Sequence, residues 1–271
     1  MRINTNIASL NAQQNLDQVS SRLSGNYQRL SSGLRIGSAS DDAAGLGLSE
    51  KMRSKILSYG QSSRNTQDGI SLVQTAEGAL SETGNILNRI RELAVQSANG
   101  TLGTTERDTI NTEVQSLISE INRISSSTEF NGVALLDGTT TTASIQVGIN
   151  SGQTIDVGLQ NSSASTLAIG SLTVATVTGA NTALGLVDTA INTINTARGR
   201  LGASQNRLQS AFTTIQTARE NLSASESRIR DVDFAAETAD LTRNTILQQA
   251  ATSVLQQANT QPQIALSLLR G

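Results

Sequence analysis

The chain has 271 residues, of which 37% are hydrophobic, 2% aromatic and 15% charged, with a formal net charge of −2. It contains neither cysteine nor histidine. That removes thiol nucleophiles, disulfides, histidine general bases and nearly all zinc or copper sites, and the near-neutral charge provides no basic footprint for nucleic acid.

No run approaches the ~18 apolar residues of a membrane span. The start, Met1-Arg2-Ile3-Asn4-Thr5-Asn6, lacks the apolar stretch and small-residue cleavage site of a Sec signal peptide. Export would need another route. Pro262 is the single proline, so long uninterrupted helices are permitted almost everywhere.

Residues 1–34 carry Leu16, Leu23 and Leu30 at a spacing of seven, with Val19 and the pair Asn26/Tyr27 between them and Leu34 closing the run. Such a seam is stable only when another helix covers it. Turn formers follow at Ser31-Ser32-Gly33 and Gly37-Ser38-Ala39-Ser40-Asp41-Asp42, and the acidic doublet reads as a turn or helix cap rather than an acid/base pair. Gly45 and Gly47 lack the remaining residues of a phosphate loop.

From Glu50 to Ala98 a second helix is predicted. Its stripe is Met52, Ile56, Tyr59, Ser63, Thr66, Ile70, Val73, Glu77, Leu80, Gly84 and Leu87, and it would run roughly 70 Å at 1.5 Å per residue. Asn99-Gly100 is expected to end it as a glycine cap, and Thr105-x-x-Asp108 to open the next as a capping box. That third helix repeats strictly through Ile110, Val114, Leu117, Ile121 and Ile124. Asn131-Gly132 and Asp137-Gly138 read as turns.

The period changes over 144–159. Ile145, Val147 and Ile149, then Ile155, Val157 and Leu159, alternate with polar or small residues around Asn150-Ser151-Gly152-Gln153, a β-hairpin signal. Residues 160–182 are rich in Ser, Thr, Gly and Ala, with a weak strand at Leu172–Val177. A fourth long helix follows, its seam read as Val187, Ile191, Ile194, Arg198, Leu201, Gln205, Leu208, Phe212 and Ile215, continuing to Ile229. Arg228, Arg230, Asp231 and Asp233 are expected to form an ion-pair cluster. The last seam, Ile246, Leu247, Ala250, Val254, Leu255 and Ala258, mirrors the first.

The predicted class is mainly α: an antiparallel bundle or coiled coil of long helices with a small β-hairpin region near 144–159. The chain runs out and back, which makes the two end seams natural partners.

Several motifs in this order resemble bacterial flagellin over essentially the whole length. They include Ile3-Asn4-Thr5-Asn6, Leu30-Ser31-Ser32-Gly33-Leu34-Arg35-Ile36, Ser40-Asp41-Asp42-Ala43-Ala44-Gly45 and Arg89-Ile90-Arg91-Glu92-Leu93-Ala94-Val95-Gln96-Ser97-Ala98-Asn99. Phe130-Asn131-Gly132, Ile145-Gln146-Val147-Gly148, Arg230-Asp231-Val232-Asp233 and Leu268-Leu269-Arg270 complete the set.

The resemblance implies a structural protein, not an enzyme, that homopolymerises into the flagellar filament for motility. It would be exported by the flagellar type III apparatus and placed outside the cell. Residues 1–41 and 231–271 would form the terminal coiled-coil D0 domain, with Leu16, Val19, Leu23, Leu30, Leu34, Ile246, Leu247, Val254 and Leu255 as its polymerisation seam. Residues 42–230 would form the D1 rod. Only about twenty residues separate Leu159 from Thr182, so the outer D2 and D3 domains are expected to be absent.

By the same resemblance, Arg89, Arg91, Leu93 and Glu113 match positions through which some flagellins engage the Toll-like flagellin receptor of hosts. That surface would be open on a monomer. Leu266, Leu268, Leu269 and Arg270 match a tail bound by the export chaperone and sensed inside host cells. Filament cap and hook–filament junction proteins are further implied partners. A hook–filament junction protein shares the terminal helices and is the alternative. From another class, a secreted helical adhesin or effector would call for a bulky mid-chain domain, which the sequence lacks. No cofactor or metal is implied.

Overall fold

A computed structural model describes residues 5–270, with side chains described over 5–261. The elements are α1 (Ile7–Ser32), α2 (Ala43–Ser97), α3 (Thr104–Ser127), β1 (Glu129–Phe130), β2 (Val133–Ala134), β3 (Thr142–Gln146), β4 (Thr154–Gly158), α4 (Val177–Arg230) and α5 (Phe234–Arg270). They form the mainly helical architecture with short hairpins that the patterning predicts. The chain divides into two compact units, residues 57–220 and residues 1–56 with 221–271.

Within residues 57–220, α4 lies antiparallel to α2. Gln216 Nε2 donates to Ser63 Oγ at 3.2 Å, Arg198 pairs with Glu77 at 3.8 Å, and Arg91 pairs with Asp188 at 2.6 Å. The α4 seam has a simple grammar. Large residues recur at seven, Val187, Ile194, Leu201, Leu208 and Ile215, and small ones recur between them, Ala183, Ala190, Ala197 and Ser204. The same alternation runs along α2, where Val73, Leu80 and Leu87 are interleaved with Ala76 and Thr83, until Ile90 ends it with a large residue. Small residues at every second seam position permit close backbone approach, while the aliphatic residues fill the space left.

The polar positions Arg198 and Gln205 expected in the α4 seam, and Phe212 with them, are half-buried flanks of this stripe. They lie one residue from the true seam, because a search for bulky side chains passes over alanine.

Gly69 is used for its missing side chain. A Cβ there would lie 3.0 and 3.1 Å from the two γ carbons of Ile145, so the β3–β4 hairpin packs directly on the α2 backbone. The hairpin pairs Ala143 with Val157 and Ile145 with Ile155, and Ile155, Val157 and Leu159 enter the core. Asn131 (φ 52°) and Gly132 (φ 77°) are both left-handed between the paired residues Phe130 and Val133, which is the two-residue hairpin turn their sequence favours.

Leu172–Val177 is not a strand. No neighbouring strand offers it a ladder, and α4 begins at Val177. Amides of α3 hold this segment instead. Asn111 Oδ1 accepts from Val174 N at 3.0 Å and Gln115 Nε2 donates to Leu172 O at 2.7 Å, while Asn122 Oδ1 holds the preceding stretch by accepting from Ala164 N at 2.9 Å.

The junction between α2 and α3 also departs from expectation. α2 ends at Ser97, and Gly100 is not left-handed. The carbonyls at this helix end are served by Arg107, a buried arginine whose Nε donates to Ser97 O at 3.0 Å and whose Nη2 donates to Asn99 O at 2.9 Å. A cation fits there because the last carbonyls of a helix are unsatisfied and carry partial negative charge. Thr105 opens no capping box. Gly103 is the N-cap of α3 and makes no side-chain cap bond.

In the unit of residues 1–56 and 221–271, α1 and α5 pair antiparallel. Ser9 Oγ meets Asn259 Oδ1 at 2.7 Å near one end, and Asn26 Nδ2 meets Glu237 Oε1 at 2.5 Å near the other. α1 is capped by Asn6, which accepts from Ser9 N, and ends at left-handed Gly33 (φ 73°). Leu34 and Asp231 form an antiparallel bridge. Asp41 accepts from Ser38 N at 2.9 Å and Gly37 N at 3.2 Å, and Asp42 accepts from Gly45 N at the start of α2.

The expected ion-pair cluster does not form. Arg230 pairs with Glu50 at 2.6 Å, Arg228 donates to Ser225, and Asp233 caps α5 by accepting from Ala235 N and Ala236 N. Helix-start N–H groups and an acid across the chain outcompete neighbours in sequence.

Candidate assembly surface

The inner face of α1 is Ala12, Leu16, Val19, Leu23, Asn26 and Leu30, alternating three and four. Its partner face on α5 is Glu237, Leu241, Asn244, Gln248, Ala251, Leu255 and Ala258, with the same alternation. The pairing is aliphatic towards Ala12 and Ala258 and polar towards Asn26 and Glu237.

At the polar end, Oε1 of Glu237 accepts three donors: Asn26 Nδ2 at 2.5 Å, Arg29 Nε at 2.8 Å and Arg29 Nη2 at 2.8 Å. Asn244 Nδ2 donates to Asn26 Oδ1 at 2.8 Å. The Arg29 guanidinium, with help from the Asn26 amide, holds the Glu237 carboxyl below its ordinary range against the opposing effect of burial. Asn26 is only 2% exposed. A seam asparagine with satisfied partners selects one register among the repeats a leucine seam allows. The sequence contains this signal, since Asn26 follows Ala12 and Val19 at sevens.

The seam residues expected from the sequence divide. Leu23 is buried and Leu16, Val19, Leu30, Leu34 and Leu255 are half-buried within the α1/α5 unit. Ile246 (61% exposed), Leu247 and Val254 (58%) face outward. α5 therefore carries two aliphatic stripes, one covered by α1 and one open. α1 adds Ile7 and Leu10 (56%) on its own outer face. A groove of about 340 Å³ runs beside the pair, floored by Ala12, Val19, Leu247, Ala250, Ala251 and Val254 and rimmed by Asn15, Gln18 and Arg22. So much aliphatic surface on one small two-helix unit marks an interaction surface.

On α2 and α3, Arg89 bridges Glu113 at 2.8 Å and Glu92 at 3.2 Å, and both acids raise the guanidinium's hold on its proton, Glu113 most. Arg91 is paired with Asp188. All these charges are solvent-facing. Leu93 is not: it is 2% exposed and belongs to the chain's own core, because position 93 falls beside Ile90 and Ala94 on the inner stripe. The side chains of Leu266, Leu268, Leu269 and Arg270 lie outside the described residues. No cluster of acids able to hold a metal occurs among the described residues, and no helix there is long and apolar enough to cross a membrane.

Residues 3–141 match the family described as the bacterial flagellin N-terminal helical region, and residues 184–269 match the bacterial flagellin C-terminal helical region. Flagellin of Halalkalibacterium halodurans is 47% identical over 272 aligned residues, covering 100% of both chains. The flagellar filament 30.7 kDa core protein of Treponema maltophilum is 42% identical, covering 99% of this chain and 100% of its own. The crystal structure of Bacillus cereus flagellin superposes with a TM-score of 0.52 at 37% identity, covering 56% of this chain and 88% of that one.

Proposed function

This chain belongs to the bacterial flagellin family, the structural subunits of the flagellar filament, and on that premise we propose that the α1/α5 pair is the element through which it polymerises. The observation that carries this reading is the second, uncovered aliphatic stripe of α5. Among the described residues, Ile246, Leu247 and Val254 stay 61%, 42% and 58% exposed, although α1 already covers the other face of α5. Burial of each would stabilise an assembled state by about 1.5–3 kcal/mol. In a helical polymer every copy offers the same stripe to a different patch of the next copy, so the contacts never close.

In this reading residues 1–41 and 231–271 act as the inner D0 layer, residues 42–230 as the D1 layer, and no outer domain is carried. The protein leaves the cell through the flagellar export apparatus. Leu266, Leu268, Leu269 and Arg270 serve the chaperone and host sensors, and cap and hook–filament junction proteins complete the filament's ends. Removing residues 1–34 tests the assembly role. A soluble helical protein that forms no filaments supports it, and normal filaments overturn it.

Recognition by the Toll-like flagellin receptor is proposed to use the solvent-facing Arg89, Arg91 and Glu113. Leu93 contributes by holding α2 against the core. Arg89→Ala and Glu113→Ala should lower receptor signalling by the monomer at unchanged stability, whereas Leu93→Ala should lower both. Full signalling by Arg89→Ala would sink this reading.

A further inference from the structure

The groove beside α1 and α5 has an apolar floor, an amide rim and one cationic end, and α1 itself carries a stripe with the complementary pattern. The groove's α1 wall runs from Ala12 to Arg22 and is completed by Leu247, Ala250 and Val254 of α5. The outer face of α1 presents Ile7, Leu10, Gln14 and Asp17, at steps of three, four and three, so these side chains lie on one narrow strip. Both tracts span eleven residues, 7 to 17 and 12 to 22, and so about 15 Å at a rise of 1.5 Å per residue. Each begins with small or aliphatic residues and ends in a charge of opposite sign.

Among the described residues, neither Asp17 nor Arg22 takes part in an ion pair, whereas Arg29, Arg89, Arg91 and Arg230 do. The strip and the groove occupy different faces of α1, so one copy cannot dock its own strip into its own groove.

We propose that the groove of one copy receives the Ile7–Asp17 strip of a second copy laid parallel, with Ile7 and Leu10 over the apolar floor and Asp17 against Arg22. The proposal rests on the filament reading and specifies one of its contacts. It is heterologous, because groove and strip are different surfaces, and therefore propagates as a helical polymer needs. The ion pair chooses between parallel and antiparallel lays. In the reversed lay Asp17 would sit at the Ala12 end and Arg22 would face Ile7, leaving both charges on apolar surface.

The contact makes a prediction that no pairing within one chain would make. In Asp17→Arg the strip and the groove are both cationic, and in Arg22→Asp both are anionic. Each full-length variant alone should lose seeded filament growth at low ionic strength, where such charges are least screened. Mixed in equal amounts, each offers the strip the other's groove requires, and sedimentable filament should return with the two variants alternating along this contact. The double variant Asp17→Arg/Arg22→Asp should grow alone.

Rescue by the double variant but not by the mixture would mean the pair acts within one chain, and would overturn the proposal. So would unimpaired growth of both single variants, which would leave the filament reading intact, and so would failure of all four samples despite unchanged helix content.

Discussion

The two units solve the problem of a long helix differently. Residues 57–220 cover their own stripes. α2, α3, α4 and the β3–β4 hairpin converge on one aliphatic cluster, in which Leu80, Leu87, Ile194, Leu201 and Leu208 are almost completely shielded. The unit of residues 1–56 and 221–271 covers only one face of each terminal helix and leaves Ile7, Leu10, Ile246 and Val254 in water. Its inner seam also becomes polar towards Asn26 and Glu237. A repeating seam filled with leucine would be more stable on its own but would tolerate slippage and any apolar partner. The first unit closes its own core, and on the proposed reading the second is finished by other copies.

Several perturbations would break or sharpen this contrast. The largest effect on stability is expected from Leu201→Ala, which should cost about 3–5 kcal/mol in the unfolding of residues 57–220, measured by denaturant melts of the monomer. A comparable truncation outside that core, Val254→Ala, should leave the same melt unmoved. Next is Arg107→Met, which strands the buried carbonyl of Ser97 and removes a partner from the more exposed carbonyl of Asn99, and should cost about 1–3 kcal/mol. Its signature is faster amide exchange over the last turn of α2.

Gly69→Ala is smaller. Its new methyl must displace Ile145, for about 1 kcal/mol, with chemical-shift changes confined to the hairpin and the facing turn of α2.

The Glu237 prediction concerns pH rather than magnitude. Its carboxyl is held below the ordinary value by Arg29 and Asn26 when α1 and α5 are paired. The unfolded form therefore binds the proton more readily. The pairing gains its full contribution above the unfolded value of about 4.3 and loses it as pH falls through the lower folded value. Amide exchange of α1 in the monomer should thus accelerate on acidification below about pH 4.5. Glu237→Gln should remove most of that dependence. A pH response unchanged by Glu237→Gln would show that this end of the seam does not depend on the carboxylate.

Much of the fold was legible because helical periodicity is strong when a chain has one proline. The hairpin at Ile145–Leu159 was also readable, since alternation against a glycine-containing turn has few other solutions. The remainder depended on partners that are distant in sequence. Ala197 and Ser204 carry no hydropathy signal that distinguishes a seam from a flank, so periodicity alone points to their neighbours Arg198 and Gln205. Arg107 looks like an ordinary surface charge until the end of α2 is placed beside it. Leu172–Val177 has strand composition, but Asn111 and Gln115 supply the bonds a neighbouring strand would have given.

In the assembly surface, the aliphatic residues of α5 were visible as a group. Their division between a covered and an open stripe was not. Leu255 and Val254 are adjacent in sequence, and only the position of α1 tells which is inside.

The central claim is that the outward stripe of α5 is surface reserved for other copies. The most direct measurement is filament formation by Ile246→Asp/Val254→Asp, followed by sedimentation and electron microscopy, with the helix content and denaturant melt of the monomer measured in parallel. A monomer that melts like the parent but yields no filament is the predicted result. Filaments of normal length and yield from this variant would contradict it.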